Sequence, residues 1–167
     1  MTCVDNLLPS DLCAELIARL DNGSLEKVER ADMANYCRNI LIDEKLADTI
    51  YERVKPLLPP NCRTVRCNEY FRFSKYVPGE EFKIHRDGLN QDRFGNRTKF
   101  TVNIFLCADF VGGETDFFDD SRNRVFSAKP AVGRGAIFDR DILHCGNKVL
   151  EGVKYLIRTD VMVSDGL

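Results

Sequence analysis

Apolar residues recur about once per helical turn in two segments near the start of the chain. The first apolar stripe consists of Leu12, Leu16, Ile17 and Leu20. Ser10 and Asp11 precede this stripe and Asn22-Gly23 follows it, which predicts a capped amphipathic helix. The second stripe consists of Leu46, Ile50 and Val54. It predicts a helix from residue 43 to about 57, ended by Pro59-Pro60. The pattern from Asp32 to Ile42 predicts no particular element.

From Asn68 onward the pattern changes to a period of two, which is typical of β-strands. Arg72 and Ser74 alternate with Phe71 and Phe73. After a turn at Pro78-Gly79, a second alternation sets Phe82 and Ile84 against Lys83, His85 and Asp87. Further strands are predicted at 99–107, 115–118, 124–126, 135–138 and 153–163. Two helices followed by about eight short strands predict an antiparallel sandwich or barrel with the helices packed outside.

The length of 167 residues is about that of one domain, and the chain has no repeat, low-complexity tract or obvious linker. We therefore expect a single domain over residues 1–167. Its N-terminal part, to about residue 67, is expected to be helical. The β-rich part is expected to cover about residues 68–167.

Composition and charge narrow the class of protein. The formal net charge of −2 gives no electrostatic reason to expect a nucleic-acid or membrane partner. The sequence lacks an apolar run long enough to cross a bilayer, and its start lacks the basic and apolar regions of a signal peptide. A cytoplasmic, soluble protein is therefore expected. Seven cysteines without a C-x-x-C pair argue against a disulfide framework and against a thiolate zinc site. The oligomeric state does not follow from the sequence.

The chain has two histidines, and both lie where a metal site could use them. His85 and Asp87 are two positions apart on a predicted strand, so their side chains project from the same face. His144 lies far downstream and could supply a third ligand. Two imidazoles and one carboxylate are the ligand set of non-haem Fe(II) oxygenases. Single histidines are more often surface or packed residues than ligands. Whether these two bind a metal must therefore be judged from the residues around them.

The last predicted strand, residues 153–163, has two different faces. An aliphatic face, which can pack against the helices, consists of Val153, Tyr155, Ile157, Val161 and Val163. The opposite face carries the polar residues Lys154, Arg158 and Asp160. Periodicity leaves two alternatives for this polar face: the solvent side of a sandwich, or the interior of a sheet that curls around a metal. In the interior, two cations would need an anion. The strand at 70–76 repeats the pattern with Arg72 and Tyr76.

Five short motifs follow one another in order along the chain. They are Tyr76-x-x-Gly79-x-x-Phe82-x-x-His85-x-Asp87-Gly88, Thr101-x-x-x-Phe105-Leu106, Gly112-Gly113-Glu114-Thr115, His144, and Gly152-x-Lys154-Tyr155. This ordered set, over about residues 68–163, resembles the prolyl 4-hydroxylase-type 2-oxoglutarate/Fe(II)-dependent dioxygenases. The resemblance implies an α+β, mainly β fold, with a double-stranded β-helix (jelly-roll) core and N-terminal helices packed outside.

The resemblance also implies the cofactors and the metal ligands. Fe(II) would be ligated by His85, Asp87 and His144. 2-Oxoglutarate would be the cosubstrate, O2 the oxidant, and ascorbate a possible further ligand. The reaction would couple hydroxylation to oxidative decarboxylation of 2-oxoglutarate to succinate and CO2. The presence of Asp87 favours hydroxylation, because relatives that halogenate lack this carboxylate.

Four residues are implied in binding the cosubstrate. Lys154, ten residues after the distal histidine, would pair with the distal carboxylate of 2-oxoglutarate, and Tyr76 would hydrogen-bond it. Thr101 lies near a position that lines the cosubstrate pocket in some members of the family. Arg158 lies at a spacing that other branches of the superfamily use for the same carboxylate. Either cation could therefore bind it, and Lys154 is the preferred candidate.

Strand parity gives Arg72, Asn103 and Asp160 as candidate substrate contacts. Asp160 lies where several relatives carry a bulky aromatic residue, which leaves the substrate open. The leading expectation is hydroxylation of a prolyl residue or a similar protein side chain. The same chemistry on a small molecule, such as a free amino acid, is an alternative, and a non-catalytic metal-binding jelly-roll module is a second one. The sequence shows no basic groove of the kind that a nucleic-acid demethylase would need.

Overall fold

The computed structural model describes residues 1–30 and 33–164, so residues 31, 32 and 165–167 of the expected domain lie outside the described residues. Within these ranges the chain forms two α-helices, a short 3-10 helix and fourteen strands. The helices are α1 (Ser10–Asp21), α2 (Glu44–Val54) and the 3-10 helix Lys55–Leu57. The strands are β1 (Thr2–Val4), β2 (Glu26–Arg30), β3 (Ala34–Ile42), β4 (Thr64–Cys67), β5 (Tyr70–Tyr76), β6 (Glu81–His85), β7 (Arg97–Phe105), β8 (Val111–Gly112), β9 (Thr115–Phe118), β10 (Arg124–Ala128), β11 (Gly135–Asp139), β12 (Leu143–Gly146), β13 (Val149–Glu151) and β14 (Lys154–Val163).

Both predicted helices form, and their N-termini differ in whether a side chain caps them. The Asp43 carboxylate caps α2 by accepting a hydrogen bond of 2.9 Å from the backbone N–H of Leu46. The 3-10 helix then carries the chain to the predicted end near residue 57. In α1 the N-cap position is Pro9, and no side chain of the described residues caps the helix. The cap predicted from Ser10 and Asp11 is therefore wrong, although the helix begins at the predicted place.

Twelve strands form one antiparallel sheet in the order β1-β11-β7-β14-β5-β3-β6-β12-β9-β10, with β2 attached to β3 and β4 to β14. Strands β8 and β13 pair separately. Strand β3 joins the two halves of the sheet. Its residues 37–42 pair with β5, and its residues 34–35 pair with β6. This arrangement confirms the mainly β, jelly-roll fold.

The N-terminal part is less helical than expected, because β1 to β4 all lie before residue 68. Strand β3 occupies most of the segment to which the sequence assigned no element. Its polar residues Asn35, Arg38 and Asn39 interrupt the apolar alternation that identifies a half-buried strand. Pairing with β2 along one edge, and with β5 and β6 along the other, makes it a strand all the same.

The helices pack on the outer face of the sheet, as predicted. Leu16 of α1 and Ile50 of α2 share one buried cluster with Phe73 of β5 and Ile157 and Val161 of β14. On the opposite face of β14, Lys154 and Asp160 are also buried. The polar face of this strand therefore points into the interior of the curled sheet and not toward solvent.

The structure also bears on the cysteines and on membrane-spanning helices. All seven cysteines carry free thiols. Among the described residues, no helix combines the length and the apolar character needed to cross a membrane.

Candidate metal centre

The three predicted metal ligands lie together, two on neighbouring strands and the third just after one of these strands. Strands β6 and β12 are antiparallel and place His85 directly opposite His144. Asp87 lies two residues beyond His85, where its backbone N–H donates to the carbonyl oxygen of Arg140. The Nε2 atom of each imidazole is 3.7 Å from one oxygen of the Asp87 carboxylate. The three ligand atoms all lie within 4.8 Å of one another, close enough to hold one ion.

Backbone contacts fix the orientation of both imidazoles. Nδ1 of His85 lies 2.7 Å from the carbonyl oxygen of Lys83, and Nδ1 of His144 lies 3.0 Å from that of Ile142. A carbonyl oxygen can only accept, so each Nδ1 carries the proton and each Nε2 keeps a lone pair toward the site. Burial lowers the pKa of His144 to about 4, which keeps this ring neutral near pH 7.

The Asp87 carboxylate is held through both of its oxygens. Thr101 donates its hydroxyl to Oδ2 at 2.6 Å, and Nη1 of Arg158 lies 2.9 Å from Oδ1. Burial raises the pKa of Asp87, but the charge of Arg158 and the hydrogen bond from Thr101 lower it. The pKa therefore falls below its usual range, and the carboxylate is ionised. The structure gives Thr101 a different contact from the predicted one, because it positions a metal ligand and does not line the cavity.

A buried cluster connects Asp87 to the mouth of the site. Asp160 has no exposed surface and accepts hydrogen bonds from Arg158 at 3.0 Å and Asn90 at 2.9 Å. Arg72 makes a longer contact with Asp160, at 3.4 Å. Asp160 therefore orients two arginines, and its side chain is enclosed in the interior. The sequence missed Asn90, which lies in the loop after the metal-binding strand and carries no periodic signal.

Lys154 is a buried cation of the site. It lies opposite Tyr76 in the register of β14 and β5, and only 1% of its surface is exposed. Its ammonium donates to the carbonyl oxygen of Gly113 at 2.7 Å and lies 4.9 Å from the centre of the Tyr76 ring. Among the described residues, no carboxylate forms an ion pair with it. Burial lowers the pKa of Lys154 to about 8, so the amine is still mostly charged at pH 7. A buried charge of this kind requires an anion.

A single cavity contains the metal ligands and Lys154. Its lining residues are Tyr36, Arg72, Ser74, Tyr76, Phe82, His85, Asp87, Asn103, Thr115, His144, Gly146, Lys154, Leu156 and Arg158. Of the predicted site residues, Arg72, Tyr76, Asn103, Lys154 and Arg158 thus face this space together with the metal ligands. Thr101 and Asp160 lie behind it.

The sequence missed the aromatic wall of the cavity. The Phe82 ring stacks on His85 with 3.7 Å between ring centres, and Tyr36 stacks on Tyr76 at 4.9 Å. Strict alternation places Phe82 on the face opposite His85. An irregularity in the pairing of β6 with β12 lets three steps of β6 match two steps of β12, which brings Phe82 to the same side as His85. Tyr36 lies on β3, the strand that the sequence did not assign.

Comparison with known proteins identifies a family that matches the sequence and solved structures that share the fold. Residues 71–159 match the model of the 2OG-Fe(II) oxygenase superfamily. The structure is similar to that of a viral collagen prolyl hydroxylase from Paramecium Bursaria Chlorella virus-1, determined as a 2OG complex. The TM-score is 0.74 at 22% identity, covering 98% of this chain and 96% of that chain.

Two further solved structures are similar to this one over most of the chain. For a Pseudomonas putida prolyl-4-hydroxylase the TM-score is 0.71 at 16% identity, covering 98% of this chain and 92% of that chain. For a prolyl hydroxylase from Trichoplax adhaerens, in complex with a peptide fragment of hypoxia inducible factor, it is 0.74 at 16% identity, covering 96% and 82%. No curated protein matches the sequence. At these identities the structural likeness shows a shared fold.

Proposed function

The chain belongs to the 2OG-Fe(II) oxygenase superfamily and is a 2-oxoglutarate-dependent dioxygenase, and we propose that it hydroxylates a prolyl residue or a similar protein side chain. The observation that carries this proposal is the convergence of His85, Asp87 and His144 in the same cavity as the buried Lys154. We also propose that residues 1–167 act as one domain. The strands before residue 68 support this, because they complete the sheet that surrounds the cavity.

We propose that His85, Asp87 and His144 hold Fe(II). Two neutral imidazoles and an ionised carboxylate suit this ion and leave coordination positions open. When bound, the metal and 2-oxoglutarate supply the activation of O2 that converts a C–H bond to C–OH and releases succinate and CO2. Thr101 and Arg158 act on this centre indirectly, because their contacts orient the Asp87 carboxylate.

Lys154 and Tyr76 are the proposed partners of the distal carboxylate of 2-oxoglutarate. The arginine alternative is weaker, because Arg158 already pairs with Asp87 and Asp160. The ammonium of Lys154 could form a charge-assisted hydrogen bond with this carboxylate, which would balance the buried charge. Ascorbate, expected only from the resemblance, is proposed as an auxiliary reductant. A cytoplasmic location, in a compartment that keeps the cysteines reduced, is part of the same proposal.

The shape of the site supports an extended protein substrate. A second cavity shares Arg72 and Arg158 with the metal cavity, and a third shares Arg72 and Asn90 with the second. The third reaches Tyr70 and Ile42 at the surface. A free amino acid would need only the first of these spaces, whereas a peptide could occupy all three. The peptide-bound structure of the Trichoplax relative supports the same class of substrate.

The proposal is tested by incubating the protein with Fe(II), 2-oxoglutarate and a library of proline-containing peptides, scored by mass spectrometry for addition of one oxygen atom. We expect oxidised peptides and stoichiometric succinate from the wild type. His144→Ala should give neither product, whereas Lys148→Met, at an exposed lysine, should give both. Oxidation of free amino acids with no oxidised peptide would replace the protein substrate with a small molecule. Absence of succinate with every substrate would favour a non-catalytic metal-binding module.

A further inference from the structure

Three arginines on three neighbouring strands face the mouth of the metal site. Arg72 of β5 lies directly opposite Arg158 of β14. Arg38 of β3 lies opposite Ser74, the next inward-facing position of β5. Like charges directly opposite each other on neighbouring strands are destabilising unless anions balance them. All three arginines line the second cavity, in which Asp87 is the only carboxylate among the described lining residues.

The three arginines differ in how firmly their present partners hold them. Arg158 is bound by the buried carboxylates of Asp87 and Asp160. Arg72 makes only long contacts, at 3.4 Å to Asp160 and 3.3 Å to Asn90. Arg38 pairs at 2.8 Å with Glu26, whose side chain is 68% exposed. Ion pairs with so exposed a partner contribute little to stability. Arg38 and Arg72 are therefore free to exchange these partners for a ligand.

Unpaired donors in the same place indicate what kind of ligand fits. The Nε–H groups of Arg38 and Arg158 are enclosed and have no acceptor among the described residues. A buried N–H without an acceptor is unfavourable, and a carboxylate can accept from Nε and Nη of one guanidinium at the same time. 2-Oxoglutarate does not supply this anion, because its two negative charges and that of Asp87 are balanced by Fe(II) and Lys154 when the metal and the cosubstrate are bound. The mouth therefore keeps its positive charge in the loaded enzyme.

We propose that the mouth of the site binds an acidic side chain of the substrate, an aspartate or glutamate close to the residue that is oxidised, through Arg38 and Arg72. This inference rests on the proposed function in taking the substrate to be a peptide. The arginines select the sequence around the oxidised residue, whereas the metal ligands and Lys154 serve the reaction itself.

The test uses three matched sets of proline-containing peptides, which carry Asp or Glu, Asn or Gln, or Lys at the positions flanking the proline. Oxidation is followed by mass spectrometry. Binding of fluorescein-labelled peptides is followed by anisotropy, with Fe(II) and 2-oxoglutarate present and oxygen excluded. The comparison includes the wild type and three variants, Arg38→Gln, Glu26→Gln and Arg19→Gln. Arg19 is exposed in the last turn of α1, on the outer side of the sheet, and serves as the matched control for loss of one positive charge.

We expect the wild type to bind the acidic set about tenfold more tightly than the lysine set, with a preference that weakens as salt is raised. Arg38→Gln should reduce this ratio to about threefold or less. Arg19→Gln should leave it unchanged, and Glu26→Gln, which frees Arg38, should leave it equal or raise it. Equal binding of the three sets by the wild type overturns the inference, even if Arg38→Gln does not fold. If no set is oxidised but the acidic set is still bound selectively, the proposed function fails, while the inference that the arginines at the mouth bind an acidic side chain stands.

Discussion

Replacing Lys154 by methionine should weaken 2-oxoglutarate binding and at the same time stabilise the protein. The side chain is fully enclosed, and its ammonium has one carbonyl partner and two aromatic neighbours, Tyr76 and Phe105. Burial lowers its pKa from 10.5 to about 8, which corresponds to a cost of roughly 3 kcal/mol for keeping the amine charged. Methionine has a similar length and no charge, so Lys154→Met should raise the free energy of unfolding by about 1–3 kcal/mol at pH 7.

The same change removes the proposed partner of the distal carboxylate. A hydrogen bond to a charged group contributes about 1.5–3 kcal/mol, so the KM for 2-oxoglutarate should rise about tenfold to a hundredfold or more. Turnover is measured as succinate formed over a range of 2-oxoglutarate concentrations. Stability is measured by urea denaturation without the cosubstrate. Lys148→Met, at a surface lysine whose side chain is half exposed, is the control and should change neither quantity appreciably.

The pH dependence of stability gives an independent check that the buried charge of Lys154 is the cause. The folded-state pKa of Lys154 lies below that of the unfolded chain, so the unfolded chain binds the proton more tightly between about pH 8 and 10.5. The free-energy cost of burying the charged amine is fully present below pH 8. The wild type recovers stability as the pH rises from about 8 to 10.5. The advantage of Lys154→Met should therefore shrink from pH 8 to pH 10. The affinity of the wild type for 2-oxoglutarate should fall over the same range. A variant that is less stable at pH 7 and has an unchanged KM would refute this reasoning.

Three further outcomes follow from the packing and the charges of the site. His85→Ala should abolish metal binding, measured by atomic absorption after dialysis, while the free energy of unfolding changes by only about 1 kcal/mol; retained metal at wild-type stoichiometry would contradict the ligand assignment. Asp160→Asn should cost about 3 kcal/mol in urea denaturation, because it removes the buried anion that faces Arg72 and Arg158. Gly133→Ala should cost roughly 2 kcal/mol or more, because φ is +73° and the new Cβ would lie 2.0 Å from the carbonyl oxygen of Leu8. Gly79→Ala, at φ +92° with open space around the Cβ, should cost only about 1 kcal/mol, and equal losses at the two glycines would exclude the steric explanation.

Most of the fold was predictable because its signals are local. The α2 helix has its capping Asp43 and a stripe of apolar residues at helical spacing, and β5 has its phenylalanines at every second position. Strand β3 was not predictable in this way. Its side chains face a polar cavity on one side, so the alternation that marks a strand with a solvent face is missing. Only the partners on both of its edges make it a strand.

The candidate site also has features that the sequence predicts and features that only the tertiary structure decides. The sequence by itself determined the metal-binding residue types, because the i, i+2 spacing of His85 and Asp87 puts both side chains on one face of any strand. It also determined that Lys154 and Arg158 share a face. The tertiary structure decided which of these cations is already neutralised. Asp87, in the segment after β6, reaches Arg158 beside Asp160 of the same strand, whereas no carboxylate of the described residues pairs with Lys154. It also decided that Phe82 joins His85, because an irregular pairing between two strands turns the side chain. Parity is a property of one strand, whereas charge balance and bulges depend on which strands become neighbours.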